Sequence, residues 1–412
     1  ELIGKKYQLI SIFILSTTFL WINFFHMVSQ DMVYASIITF GLFSTIKAHK
    51  SKSIYYLILS GMWIGLGVMF KTYLTAIPLI AILPFLISSR IFKNKFFWFG
   101  VLIGFMPFAI WSYKILSIYG FKVFAGLYSK FITLSKNNNF TNPFYYYLWN
   151  LPINTLPWSI FSVIGFFNVC KIKNKLCFYF LFIYPLAILF FLSCFSTKTP
   201  YYVLQILSLF SINAFLGLNY VLSKINPLTK YVNKFFFLIL PIFLFSLVGY
   251  LNYQNKSFEI DSILRLKLSI SIILFAISWI ISGRIKSYRK KIILILLGPY
   301  LLFSIIIQNG FLNDRSKDLR IVSEEIIKKE KLYNKKIDFV TGNQLNENGT
   351  SKLIKIAILM PKIGQGVQNL KDLKPKQYGW TTISKEEISL HENYKIISES
   401  EILEPWKLVL KE

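Results

Sequence analysis

Between residues 2 and 258 the chain has a single carboxylate, Asp31, set among apolar runs. A charge held deep in hydrocarbon costs roughly 2.5–3.5 kcal/mol on insertion scales, so such a group tends to have a partner or a task. Asp31 reads either as a solvated acid in a short interfacial loop or as part of an outward-facing polar cavity. Lys71, between Phe70 and Thr72, sits in a turn so short that its ammonium must lie near a membrane interface. There it either snorkels to lipid headgroups or serves as a point charge for the phosphate of a lipid-linked substrate. Lys198-Thr199-Pro200-Tyr201-Tyr202 gathers a cation, hydroxyls and a helix start. Pro200 suits a first helical turn, and the positive helix end beside Lys198 favours an anion. One of the two tyrosines is equally at home in an interfacial aromatic belt. Tyr145-Tyr146-Tyr147 and Leu156-Pro157-Trp158 read as such a belt. The nearby Lys122, Lys130 and Lys136 are placed for lipid headgroups or a substrate phosphate.

Other reactive types carry less. Cys170, Cys177 and Cys194 lie in or beside apolar runs, and with only three His they form no metal-ligand spacing; they read as free thiols. Glu259 and Asp261 read as solvated loop acids. Gly364-Gln365-Gly366 lacks the strand and helix a dinucleotide fingerprint requires.

What positions these residues is a membrane bundle. Of 412 residues 54% are apolar, 18% aromatic and only 16% charged, against about 25% charged in an ordinary soluble domain. Mean hydropathy is +0.52. That composition excludes a soluble enzyme, a disulfide scaffold and a disordered chain. Eleven apolar spans are expected, at about 7–25, 32–47, 54–70, 73–88, 96–116, 156–170, 176–195, 202–222, 235–253, 266–282 and 292–307.

The net charge of +27 is unevenly spread. Residues 308–412 hold 18 Lys/Arg and 15 Asp/Glu, whereas residues 1–307 hold 28 Lys/Arg and four carboxylates. Alternate connections collect 19 basic residues and, terminal Glu1 aside, no acid; the opposite set holds nine. This asymmetry is that of cytoplasmic loops facing anionic lipid, and it excludes a nucleic-acid surface, whose basic residues share one folded face. Strict alternation then places the N-terminus inside and 308–412 outside. The expected domains are 1–307 in the membrane and 308–412 as a small extracytoplasmic α/β domain. In the latter, a helix fits 316–332, with Leu319, Val322, Ile326 and Ile327 on one face, and strands fit Lys336–Thr341 and Ile354–Met360.

Several pieces keep a common order, and all but the first lie on the outer side: Gly4-Lys5-Lys6 leading a span, Ser29-Gln30-Asp31-Met32, Gly65 through Lys71, Pro143 through Tyr147 with Leu156-Pro157-Trp158, and Ser196 through Tyr202. In this the chain resembles, over residues 1 to about 222, the bacterial GT-C membrane glycosyltransferases. These include the dolichyl-phosphate-mannose–protein mannosyltransferase-like enzymes and the lipid A aminoarabinose transferase. The resemblance implies a bacterial inner-membrane enzyme that moves a sugar from a polyprenyl phosphate to a lipid, glycan or protein acceptor at the extracytoplasmic face. It implies direct displacement at the anomeric carbon with inversion. A carboxylate orients or deprotonates the acceptor, and cations stabilise the departing phosphate. Asp31 matches the family's supporting acid. Lys71, Lys130 and Lys198 are the expected phosphate cations, with Tyr201 or Tyr202 as a hydrogen-bond donor.

There are departures from the family pattern. Its first-loop Asp-Glu is not found here, and the chain is expected to begin about 80–120 residues into a typical relative, so that as given it would bind a polyprenyl phosphate yet transfer little sugar. Lys130-Phe131 stands where relatives often have Arg-Phe. A His that relatives often carry before the Pro-aromatic run is Asn or Thr, so no ligand set for a divalent metal is in view. Two rivals of other classes are a polytopic lipid or polysaccharide transporter, which should show mid-span charges and paired broken helices, and a non-catalytic membrane scaffold with an outer domain.

Overall fold

A computed structural model of the chain describes residues 2, 4, 7–27, 29–121, 124–126, 128–129, 132, 141–253, 262–310, 312, 316–340, 347–389, 393–398 and 400–412. The chain divides into two compact units, Glu1–Leu312 and Asn313–Glu412.

The first unit is helical. Its opening elements are α1 (Gln8–Ser16), α2 (Phe19–His26), α3 (Gln30–Ser51), α4 (Ile54–Lys71), α5 (Ala76–Ser88) and α6 (Lys95–Tyr119). After these come α7 (Tyr146–Asn154), α8 (Ser159–Val169), α9 (Lys175–Cys194), α10 (Pro200–Ser223), α11 (Pro227–Tyr253), α12 (Ser262–Arg284) and α13 (Tyr288–Gln308). Asparagine starts several of them. Asn94 Oδ1 accepts from the Phe96 amide at 2.9 Å, and Asn226 with Thr229 makes a reciprocal capping box ahead of α11. Such caps occupy amides that the first helical turn leaves unpaired.

Among the described residues, seven helices are long and apolar enough to cross a membrane, counting Ile54–Ser88 as one. The register of their neighbours makes that stretch a hairpin. Lys71 meets Asp31, and the Tyr34 hydroxyl donates to the Leu74 carbonyl at 3.5 Å, so the start of α3 lies beside the end of α4. The His49 and Phe85 rings are 5.3 Å apart, so the end of α3 lies beside the end of α5. The chain therefore reverses at residues 72–75, where Thr72 takes a positive φ of 44°. This agrees with separate spans at 54–70 and 73–88.

Two expected spans differ. The stretch 7–25 is a broken pair, α1 and α2, bent by 66°. The stretch 156–170 yields only the 11-residue α8, about 16 Å long and too short to cross hydrocarbon alone. It packs instead on α10. A Cβ at Gly165 would lie 1.8 Å from the Asn213 carbonyl oxygen, and one at Gly217 1.8 Å from that of Phe161. Only glycine lets the two backbones approach this closely.

The same device joins α4 to α6. A Cβ at Gly100 would lie 1.9 Å from the Ile58 carbonyl oxygen, and one at Gly104 2.0 Å from that of Met62. Both numbers rise together, so α4 and α6 run parallel, as a three-pass unit with α5 returning between them requires. On α7, Tyr146, Tyr147 and Leu151 are buried while Leu148, Trp149 and Ile153 are exposed. One apolar face is thus left outward, which suits the membrane interface.

The second unit has α14 (Lys317–Lys329), α15 (Glu347–Leu359) and α16 (Lys385–Ser389) around five strands. These are β1 (Ile337–Val340), β2 (Ile363–Val367), β3 (Tyr378–Thr381), β4 (Tyr394–Ser398) and β5 (Lys407–Lys411), in the order β2-β1-β3-β5-β4. β1 is parallel to β2 and β3, and β5 is antiparallel to β3 and β4. Trp380, Trp406 and Leu408 are fully buried at its centre. The first helix and first strand agree with the sequence expectation. Ile354–Met360 does not, being helical within α15 and the residue that follows it. Alternating Ile354, Ile356 and Ile358 imitates a strand. Yet Ile356 and Met360, four residues apart, are the buried ones, and Ile354 and Ile358 are exposed. Spacing by four is helical packing.

Candidate functional site

Three elements bring the expected residues together. Asp31 lies in the first turn of α3 and Lys71 in the last turn of α4. The Lys71 ammonium stands 2.7 Å from Asp31 Oδ1, and the two side chains are only 14% and 15% exposed. The pair answers the question each charge posed alone. Lys71 does not snorkel outward, and Asp31 is not freely solvated. Beside them Gln30 Nε2 donates to the Phe70 carbonyl, which fixes the start of α3 against the end of α4.

The third element is the start of α10. The Lys71 ammonium lies 5.8 Å from the centre of the Tyr201 ring, within reach of a cation–π attraction. Tyr201 in turn packs on Phe24 of α2 at 5.6 Å and on Tyr202 at 5.0 Å. Asp31, Lys71, Tyr201 and Tyr202 line one small cavity with Tyr34, Leu74, Ile77, Leu192 and Gln205. About 20 Å³ of it is open to the centre of a water molecule, enough for roughly one water. Its lining thus combines a cation, an acid, three phenols and an amide with three aliphatic side chains.

Lys198 is in the same loop but differently employed. It is 4% exposed, and its ammonium donates to the carbonyls of Asn142 at 2.8 Å and Phe195 at 2.5 Å. Asn142 Nδ2 returns a bond to the Lys198 carbonyl at 3.0 Å, and Thr141 pairs with Thr197 in a single β-bridge. The Tyr147 hydroxyl donates to the Thr199 carbonyl at 3.2 Å. Burial holds the Lys198 ammonium below its ordinary pKa by disfavouring its charged form. Expected at a phosphate, Lys198 here clasps the segment before α7 to the segment before α10, and it is not among the residues lining the cavity.

Lys130, like Lys122, Lys136, Glu259 and Asp261, lies outside the described residues. Among the described residues no three His, Cys, Asp or Glu side chains are grouped to hold a metal ion. Cys170, Cys177 and Cys194 are free thiols. Within 363–367, Gly364-Gln365-Gly366 forms the strand β2; there the Gln365 amide donates to Asp338 Oδ1 at 2.7 Å.

Two polar cavity residues, Tyr34 and Gln205, are not conspicuous in the sequence. Tyr34 is three residues after Asp31, and Gln205 is four after Tyr201. Helical spacing from the residues already singled out would have found both.

Residues 1–113 match the family model described as dolichyl-phosphate-mannose-protein mannosyltransferase. No curated protein matches the chain. Among solved structures, the chain is similar to ArnT from Cupriavidus metallidurans bound to undecaprenyl phosphate, at 12% identity and a TM-score of 0.63, covering 97% of this chain and 78% of that one. The apo state of the same protein gives 12% identity and a TM-score of 0.65, covering 97% and 77%. The chain therefore has the ArnT fold, and both comparisons agree with the GT-C resemblance in the sequence.

Proposed function

We propose that the protein transfers a sugar from a polyprenyl-phosphate donor to a lipid, glycan or protein acceptor, at the extracytoplasmic face of a bacterial inner membrane. The observation that carries this reading is the Asp31–Lys71 pair at 2.7 Å, set with Tyr201 and Tyr202 around one cavity. A cation held by a carboxylate is a cation that an arriving phosphate can take over. The donor phosphate binds Lys71 and the hydroxyls of Tyr201 and Tyr202, and Asp31 is released from its partner. Lys130 is a further cation for the same phosphate. Asp31 then accepts the proton of the acceptor hydroxyl. The acceptor oxygen attacks the anomeric carbon from the face opposite the phosphate. The bond from that carbon to the bridging oxygen breaks, and its electron pair leaves on the phosphate, where Lys71 and the phenols meet the developing charge. The displacement inverts the anomeric centre. Lys198 serves this site from behind, by holding the start of α10 in place.

Support for the donor class comes from the family model over residues 1–113 and from the ArnT fold, one of whose structures holds undecaprenyl phosphate. Support for the face comes from the basic connections at the opposite ends of the helices. The test is release of undecaprenyl phosphate from a sugar-charged donor by the full-length protein in nanodiscs. Lys71→Ala should slow it at least tenfold, about 1.4 kcal/mol of transition-state stabilisation, with expression unchanged. Normal turnover by that variant would sink the reading. For orientation, single cysteines at Asn309 and Ser287 in a background lacking the native thiols should label from opposite sides.

A further inference from the structure

Gln205 is in the opening turns of α10 and 5% exposed. Its Nε2 donates to the Tyr202 carbonyl at 3.0 Å. A carbonyl only accepts, so the amide must turn its NH2 that way, and the orientation of the group is settled by its partner. Oε1 is then left to the other side. It is buried and has no hydrogen-bond partner, and Gln205 is part of the wall of the cavity that holds Asp31, Lys71, Tyr201 and Tyr202. Buried acceptors without partners are rare in folded proteins, and one on a residue of a cavity wall can be met by a donor that arrives with a ligand.

The chemistry of that donor is restricted. An ionised phosphate offers acceptors only, and an isoprenoid chain offers neither donors nor acceptors. A hydroxyl satisfies Oε1. On the proposed donor the hydroxyl-bearing part is the sugar, joined to the phosphate through one bridging oxygen. Lys71 and Tyr201 on one side and Gln205 one helical turn away can therefore address the two ends of that linkage. We infer that Gln205 Oε1 accepts a hydrogen bond from a hydroxyl of the donor sugar, and that this contact separates the charged donor from the spent carrier. Once the sugar has left, the bare phosphate keeps its cation but strands the acceptor again, which favours exchange for a fresh donor. The assignment rests on the reading of the site given above.

The experiment measures binding of undecaprenyl phosphate and of undecaprenyl-phosphate mannose to the full chain in nanodiscs, for the wild type, Gln205→Met and Lys71→Ala. Gln205→Met, close to isosteric but without the acceptor, should weaken the mannosyl donor about five- to tenfold and leave undecaprenyl phosphate unchanged. Gln205→Asn, which withdraws the oxygen by one methylene, should give the same selective loss and serves if Gln205→Met does not fold. A structural role for the Nε2 bond to Tyr202 would weaken both ligands alike. Equal losses, or none for either ligand, overturn the assignment of Gln205. Lys71→Ala should weaken both ligands; if it weakens neither, the phosphate site itself is refuted.

Discussion

Lys71 and Lys198 belong to the same face of the bundle and carry the same charge, yet their surroundings give them opposite work. Lys71 ends a helix, faces a carboxylate and lines a cavity. Lys198 is buried in a loop with its ammonium divided between two main-chain carbonyls. An ion pair at a cavity wall can exchange one anion for another at modest cost, because the incoming group replaces the charge it displaces. A cation holding two carbonyls cannot leave without stranding them, and buried stranded acceptors are expensive. What a lysine does is thus set by whether its present partners can be replaced.

The largest effect expected from this contrast comes from exchanging the charges. Asp31→Lys with Lys71→Asp keeps an ion pair and should keep the fold, but it puts the carboxylate at the position proposed for the donor phosphate. Transfer should fall about a hundredfold or more while thermal stability stays near that of the wild type. Recovery of transfer would reduce the pair to a structural contact. Lys198→Met comes next and should show the reverse profile. Leaving two carbonyls unpaired should cost about 1–3 kcal/mol of stability, seen as an earlier thermal transition in detergent. Transfer measured well below that transition should change less than threefold. A loss of turnover as deep as that of Lys71→Ala, at full stability, would return Lys198 to the phosphate. The smallest effect belongs to Tyr147→Phe, which removes only the bond to the Thr199 carbonyl. It should cost about 0.5–1.5 kcal/mol, and combined with Lys198→Met it should be less than additive, since both act on one clasp.

Residue type is enough to single out Asp31, Lys71, Tyr201 and Tyr202, which the structure groups around one cavity, because a lone charge or a paired phenol is conspicuous against apolar spans. It is not enough to pair Asp31 with Lys71, 40 residues apart, since that contact depends on the antiparallel register of α3 and α4. Tyr34 and Gln205 carry no charge and sit within helices, so composition gave them no prominence. Lys198, expected at a phosphate, has main-chain carbonyls for partners, which every residue possesses and no sequence pattern marks. In the second unit, Ile354–Met360 alternates as a strand does, and packing on the helical face through Ile356 and Met360 overrode the alternation. The 11-residue α8 resembles a span in sequence for a related reason. Its apolar run continues into Pro157 and Trp158, and hydropathy does not register where a helix begins.

The parallel contact between α4 and α6 also fixes an order of events during biosynthesis. Chains are made from the N-terminus, so Gly100 and Gly104 can reach Ile58 and Met62 only after α5 has been threaded back across the bilayer. Asp31 and Lys71 are both synthesised before that return, and Tyr201 long after it. Throughout the interval the cavity lacks the wall that α10 will supply, and the two charges face a bilayer still being filled. Their contact needs only α3 and α4, so each charge can neutralise the other before the last wall of the cavity exists.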